Sequence, residues 1–128
     1  MKLPKQVTRK QLIKELDKLC SEVVKKQAKY TCVRCKRKYA PHSKQLTCSH
    51  YWSRRNMSTR HDLANLDCLC MPCHLYQWER DKQGAYREYM LSKLGDKGYQ
   101  YLEVKARTIT KFTSQDLELM ISLMKENL

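Results

Sequence analysis

The sequence predicts an α+β domain in which a zinc-stabilised hairpin-and-helix core is flanked by N- and C-terminal helices. Two Cys-x-x-Cys pairs, Cys32-Val-Arg-Cys35 and Cys70-Met-Pro-Cys73, bracket the centre of the chain. Two short segments with strand character lie between them, and amphipathic stretches of helical period lie before and after. At 128 residues and 15.3 kDa the chain is one compact unit that can bury about two thirds of its unfolded surface. It reads as a basic N-terminal arm and helix (1–30), a zinc-bound core (31–84) and C-terminal helices (85–128).

Residues 1–7 read as an unstructured basic start. Thr8, with Gln11 three residues on, is a capping-box signal. Behind it Leu12, Leu16, Leu19, Val23 and Val24 recur at helical spacing, predicting a helix that ends near Lys29. Residues 45–52 alternate as a strand, with Leu46, Cys48, His50 and Trp52 on one side, and 65–70 form a second. The connection SRRNMSTRHDLA is polar and basic. Pro72 suits a first helical turn and Gly84 a stop, predicting a helix over 72–83. Helices follow at 85–95, ending on Gly95, and at 97–107. The last begins with Thr113 as N-cap, Asp116 as its capping partner and Phe112 stapled on Leu117. Its Leu117, Met120, Ile121 and Met124 stripe is core or a docking surface for a partner helix.

Net charge is +13, and its distribution is uneven. Residues 1–60 carry 17 Lys/Arg against three acids, whereas 61–128 carry nine against ten. A strongly basic half joined to a neutral half is the electrostatic footprint of a nucleic-acid binder, with DNA as the expected partner. No apolar run approaches the ~18 residues of a membrane span, so no membrane partner is expected. Lys2 and Lys5 have no apolar run behind them, so no signal peptide is expected, and the compartment is the cytosol or nucleus. Seven cysteines there predict metal binding with thiols to spare, not a disulfide framework.

Each Cys-x-x-Cys turn can place two thiolates on one ion, and two turns complete a tetrahedron. Such a shell leaves no place for substrate, so a structural Zn2+ on Cys32, Cys35, Cys70 and Cys73 is expected. Cys20 falls on the first helix's apolar stripe, and Cys48 and Cys68 fall on opposing strands; these three are packing residues.

Within the cysteine frame His50 ends the first strand, Asn65 begins the second, and His74 follows the last Cys. This pattern resembles the HNH (ββα-metal) endonuclease motif, in which a hairpin and helix grip a divalent metal beside the scissile phosphate. Asn65, Cys70, Cys73 and His74 match the positions of its zinc-containing branch. Phosphodiester hydrolysis needs a base for water and a cation to offset phosphate charge. By resemblance, His50 is the base, Asn65 hydrogen-bonds across the loop to orient it, and His74 ligates a catalytic Mg2+ or Mn2+. Where many HNH sequences carry Asp before the first His, this chain has Ser49. Asp62, Asp67 or water would then complete the metal shell. His42 and His61 have no matching context.

CSHYWSRRNMSTR (48–60) and the N-x4-C-x2-C string are similar to the phage NinG (Rap) family of recombination nucleases, as more loosely is GAYREYMLSKLGDKGYQYLE (84–103). The family commonly has Asn at the position of His74 and Gly or Ala at that of Ser49. The resemblance implies cleavage of branched DNA, such as recombination intermediates, in a bacterial host's cytoplasm; a second copy of the chain, as a homodimer, is a candidate partner. Arg54, Arg55 and Arg60 are then the expected phosphate contacts. Two alternatives use the same residues: a non-catalytic zinc-stabilised DNA-binding protein, and an accessory recombination protein docking through its last helix.

Overall fold

A computed structural model describes residues 6–128, so residues 1–5 of the expected basic arm lie outside the described residues. Helix α1, Arg9–Gln27, starts at a complete capping box: the Thr8 hydroxyl accepts from the Gln11 backbone and the Gln11 side chain accepts from Thr8 N–H. Its Leu12, Leu16, Leu19, Cys20, Val23 and Val24 are buried, as the period requires. Lys29 and Tyr30 then take left-handed backbone conformations (φ 52° and 57°), turning the chain sharply into the first cysteine pair.

Strands β1 (Leu46–His50) and β2 (Leu66–Cys70) form one antiparallel ladder in which Leu46 faces Cys70, Cys48 faces Cys68 and His50 faces Leu66. Side chains alternate across it. Leu46, Cys48, Leu66 and Cys68 turn to α1 and to helix α4 (Ser114–Lys125), which bury them with Leu117, Ile121 and Met124. Leu69 turns to the other side, where Tyr51, Trp78, Tyr86, Met90 and Tyr99 build a second, aromatic core. Both faces of this small hairpin are covered, so β2 is buried along its whole length.

Between the strands come a single turn, α2 (Met57–Arg60), and a 3-10 turn, Leu63–Asn65. Helix α3 (Ala85–Arg107) is two helices joined at Gly95, whose φ of 75° and ψ of 168° break the winding where the sequence predicts a stop. Gly84 precedes it because a Cβ there would collide with the Asp81 carboxylate, which accepts from Ala85 N–H. The last helix also has its expected capping box, Thr113 with Asp116.

The predicted helix at 72–83 differs in kind. Cys73–Trp78 winds as a π-helix and Glu79–Asp81 as a 3-10 turn. This short segment must aim Cys73 at the other cysteines while burying Trp78 flat against Tyr86, at 4.6 Å between ring centroids. A widened turn meets both demands. The stripe on α4 is spent inside the molecule: its buried residues lie on α1, so that face is core, not a docking surface.

Candidate metal centre and the polar residues around it

The four cysteines converge. Cys32-Val-Arg-Cys35 forms a tight turn in which Cys32 N–H bonds Arg37 O and Lys36 N–H bonds Cys32 O. Lys36 adopts a left-handed conformation (φ 64°) that closes it. The Thr31–Lys38 bridge ties its ends. Cys70 ends β2, and Cys73 lies just beyond in the π-helical turn. All four Sγ atoms lie within 4.8 Å of one another, and Cys35 and Cys70 Sγ are 3.8 Å apart. A tetrahedral zinc with Zn–S of about 2.3 Å has an S–S edge of about 3.8 Å. The cluster can therefore hold a structural metal such as zinc. Burial alone would raise the Cys70 thiol. The Cys73 backbone N–H and the neighbouring thiols outweigh burial and bring it down to about 7. Arg34 lies alongside, donating to Cys73 Sγ at 3.4 Å and to Gln77 at 3.1 Å.

Asn65 is fully buried and spans the loop. Its Oδ1 accepts from Trp52 N–H at 2.8 Å, and its Nδ2 donates to the Trp52 and Thr59 carbonyls. Tyr51 N–H donates to the Asn65 carbonyl. The backbone directly after His50 is thus pinned to a single side chain at the start of β2.

His50 points to the α1 side, with Nε2 3.2 Å from the Arg60 carbonyl. Burial is the main force on it and holds its pKa down at about 4, partly opposed by that carbonyl. A neutral imidazole donating from Nε2 keeps its Nδ1 lone pair available. His74 belongs to the opposite face, where its Nδ1 meets the Thr47 hydroxyl at 3.0 Å and its Nε2 lies 3.8 Å from Glu79 Oε2. Burial lowers its pKa as well. What joins the two sides is Lys82. It pairs with Glu79 at 3.1 Å and donates to the His50 carbonyl at 3.5 Å.

The carboxylates weighed as metal ligands are committed elsewhere. Asp67 lies opposite Ser49 in the ladder and is buried. Its oxygens take the Lys93 ammonium (2.9 Å) and the Tyr86 and Tyr89 hydroxyls (3.3 and 3.1 Å). Ser49 Oγ is 3.0 Å from the same Tyr86 hydroxyl. Asp62 caps the Leu63–Asn65 turn and pairs with Lys105 at 2.7 Å. Among the described residues the only cluster of three or more metal-donor side chains is the four cysteines. His74 therefore has one carboxylate neighbour, Glu79, and no third protein donor.

The loop arginines divide. Arg55 and Arg54 are exposed, but Arg60 makes a two-point bond to Asp17 of α1, at 2.9 and 2.6 Å. Its guanidinium ties the loop to α1. Arg54 reaches the same carboxylate at 3.3 Å while 62% exposed. His61, without context in the sequence, donates to Asp17 from a buried position at 2.7 Å. Asp17, Glu79 and Lys82 are the polar residues that sequence reasoning missed. Each is an ordinary charged residue whose partner lies far away in sequence or on an unforeseen helical winding.

Cys20, Cys48 and Cys68 are packing residues as expected: burial pushes their thiols up to about 12, 12 and 11, which leaves them unreactive. No helix among the described residues is long and apolar enough to cross a membrane. Neither a family model, a curated protein nor a solved structure matches the chain.

Proposed function

We propose that this protein is a metal-dependent DNA endonuclease of the HNH type, with zinc in the four-cysteine cluster and branched DNA as its preferred substrate. The observation that carries the reading is Asn65. A fully buried amide spends three hydrogen bonds on the backbone of residues 52 and 59, immediately behind a neutral His50. That is an expensive way to hold a loop still, and it suits a side chain whose direction matters. His50 would take the proton of the attacking water at Nδ1, its Nε2–H being held by the Arg60 carbonyl. Mg2+ or Mn2+ would be held by His74 and Glu79, with water and phosphate oxygens filling the shell, on the other face of the hairpin from the His50 ring, so the scissile phosphate would have to straddle the end of β1. Lys82 would add a fixed positive charge beside Glu79 and His74. The host cytoplasm is the compartment this role requires.

A second reading has its own support. Ser49 and Asp67 are locked to Tyr86 and Lys93 where a second metal ligand would be wanted, which suits a zinc-stabilised DNA binder without catalysis. Purified protein with Mg2+ or Mn2+ on linear, flapped and four-way DNA, against an EDTA control, separates the two. EDTA-sensitive product lost in His50→Ala supports the nuclease. DNA binding with no product in any metal lane supports the binder.

A further inference from the structure

We propose that the cleft between the first half of α1 and the 53–60 loop is a track for the phosphate backbone of one DNA strand. This rests on the DNA-binding part of the function proposed above and not on cleavage. The cleft has a volume of about 610 Å3 and is lined by Arg9, Lys10, Lys14, Arg54 and Arg60 with one carboxylate, Asp17. That carboxylate is already saturated by Arg60, His61 and Arg54, so it offers the lysines nothing. Lys10 and Lys14 have no ion pair among the described residues, and most of the Arg54 side chain is exposed.

The position of these charges is unfavourable for the helix itself. Arg9 and Lys10 stand in the first turn of α1, which carries no acid, although the positive end of a helix dipole disfavours cations. Lys14 lies one turn from Lys10, and like charges at that spacing repel. Arg9 is accounted for by its hydrogen bond to the Phe112 carbonyl at 3.2 Å, but helix stability does not account for Lys10 and Lys14, whereas an anion in the cleft does. The two lysines are about 6 Å apart along the axis, a spacing that addresses neighbouring phosphates of one strand. Among the described residues no aromatic side chain lines the cleft, so these residues offer no stacking platform for bases and address the backbone. Its far wall is the loop whose Arg60 carbonyl meets His50 on the loop's inner side.

The test compares two charge swaps of equal size in the full chain: Lys10→Glu with Lys14→Glu, and Lys97→Glu with Lys111→Glu in the neutral half. Affinity for duplex DNA is measured across a salt series. The cleft swap should lose at least about tenfold more affinity than the control and reduce the log–log salt slope by about two. Glutamate at position 10 suits the helix dipole, so melting of α1 would not explain the loss. Lysine acetylation of the wild-type protein, read by mass spectrometry, gives an answer independent of any variant: DNA should protect Lys10 and Lys14 and leave Lys97 reactive. Equal losses in both swaps, or no protection of Lys10 and Lys14, overturn the track. A wild-type protein that binds with this footprint and never cuts overturns the nuclease and leaves the track standing. One that binds no DNA overturns both.

Discussion

Burial holds the His50 imidazole far below its usual 6.5, at about 4, even though the Arg60 carbonyl pulls the other way. The ring is therefore neutral across the physiological range, and a bound divalent cation would lower it further. If His50 is the base, the acid limb of kcat/KM should fall nearer pH 4 than 6.5 in a cleavage assay. A limb at about 6.5 would assign the titration to another group. Asn65 makes a purely structural prediction. Asn65→Ala leaves buried backbone groups of Trp52 and Thr59 unpaired and should cost about 2–4 kcal/mol by denaturant unfolding. Arg55→Ala, at an exposed position, should stay within about 0.5 kcal/mol. Ser49→Asp introduces an acid before His50 and places it opposite Asp67 in a buried ladder. It should lower the melting temperature in buffer without Mg2+ or Mn2+, and recovery on adding either ion, absent in the wild type, would show that a divalent-metal ligand had been created.

At the scale of elements, the hairpin and the π-helical turn depend on the cysteine cluster because Cys70 and Cys73 join them to the Cys32–Cys35 turn. A metal held there would contribute folding energy to the core. A strong chelator should lower the unfolding midpoint and abolish protection of β2 amides in hydrogen exchange, and Cys70→Ser should do the same without chelator. Cys20→Ser, outside the cluster, should keep full metal content by elemental analysis. The expected helix over 72–83 was legible as helical from Pro72 and the turn residues. Its winding was not, because a π turn is imposed by where Cys73 and Trp78 must land. The α1–α4 contact was half legible: the stripes are in the sequence, but their mutual partnership is not.

For the molecule as a whole, acid should act in two stages. The histidines His50, His61 and His74 all titrate below 6.5 in the fold. As pH falls from about 6.5, the unfolded chain binds protons the fold refuses, so stability declines toward pH 4. Asp17 is the opposite kind of group. Burial alone would raise it, but Arg60 and His61 outweigh that and hold it below its usual 3.8. Its contribution is complete above that value and is lost as pH drops through the depressed one. Melting temperature against pH should fall in both windows, and Asp17→Asn should remove the lower loss while retaining the upper. Because Asp17 ties α1 to the loop beside His50, that variant should also loosen the proposed DNA track.

What the sequence by itself determined is everything set by neighbours within a turn or two: both capping boxes, the apolar faces of α1 and α4, the two strands, the Gly95 break and the pairing of four cysteines. Those signals are periodic or use residues with special backbone or ligand chemistry. The tertiary structure alone decided which charges are spent. Asp17 reaches Arg60 and His61 across more than forty residues, Asp67 reaches Lys93 across 26, and His50 and His74 fall on opposite faces of the hairpin. A lone acid or base carries no mark of its distant partner, since any opposite charge satisfies it, and only the packed geometry selects one.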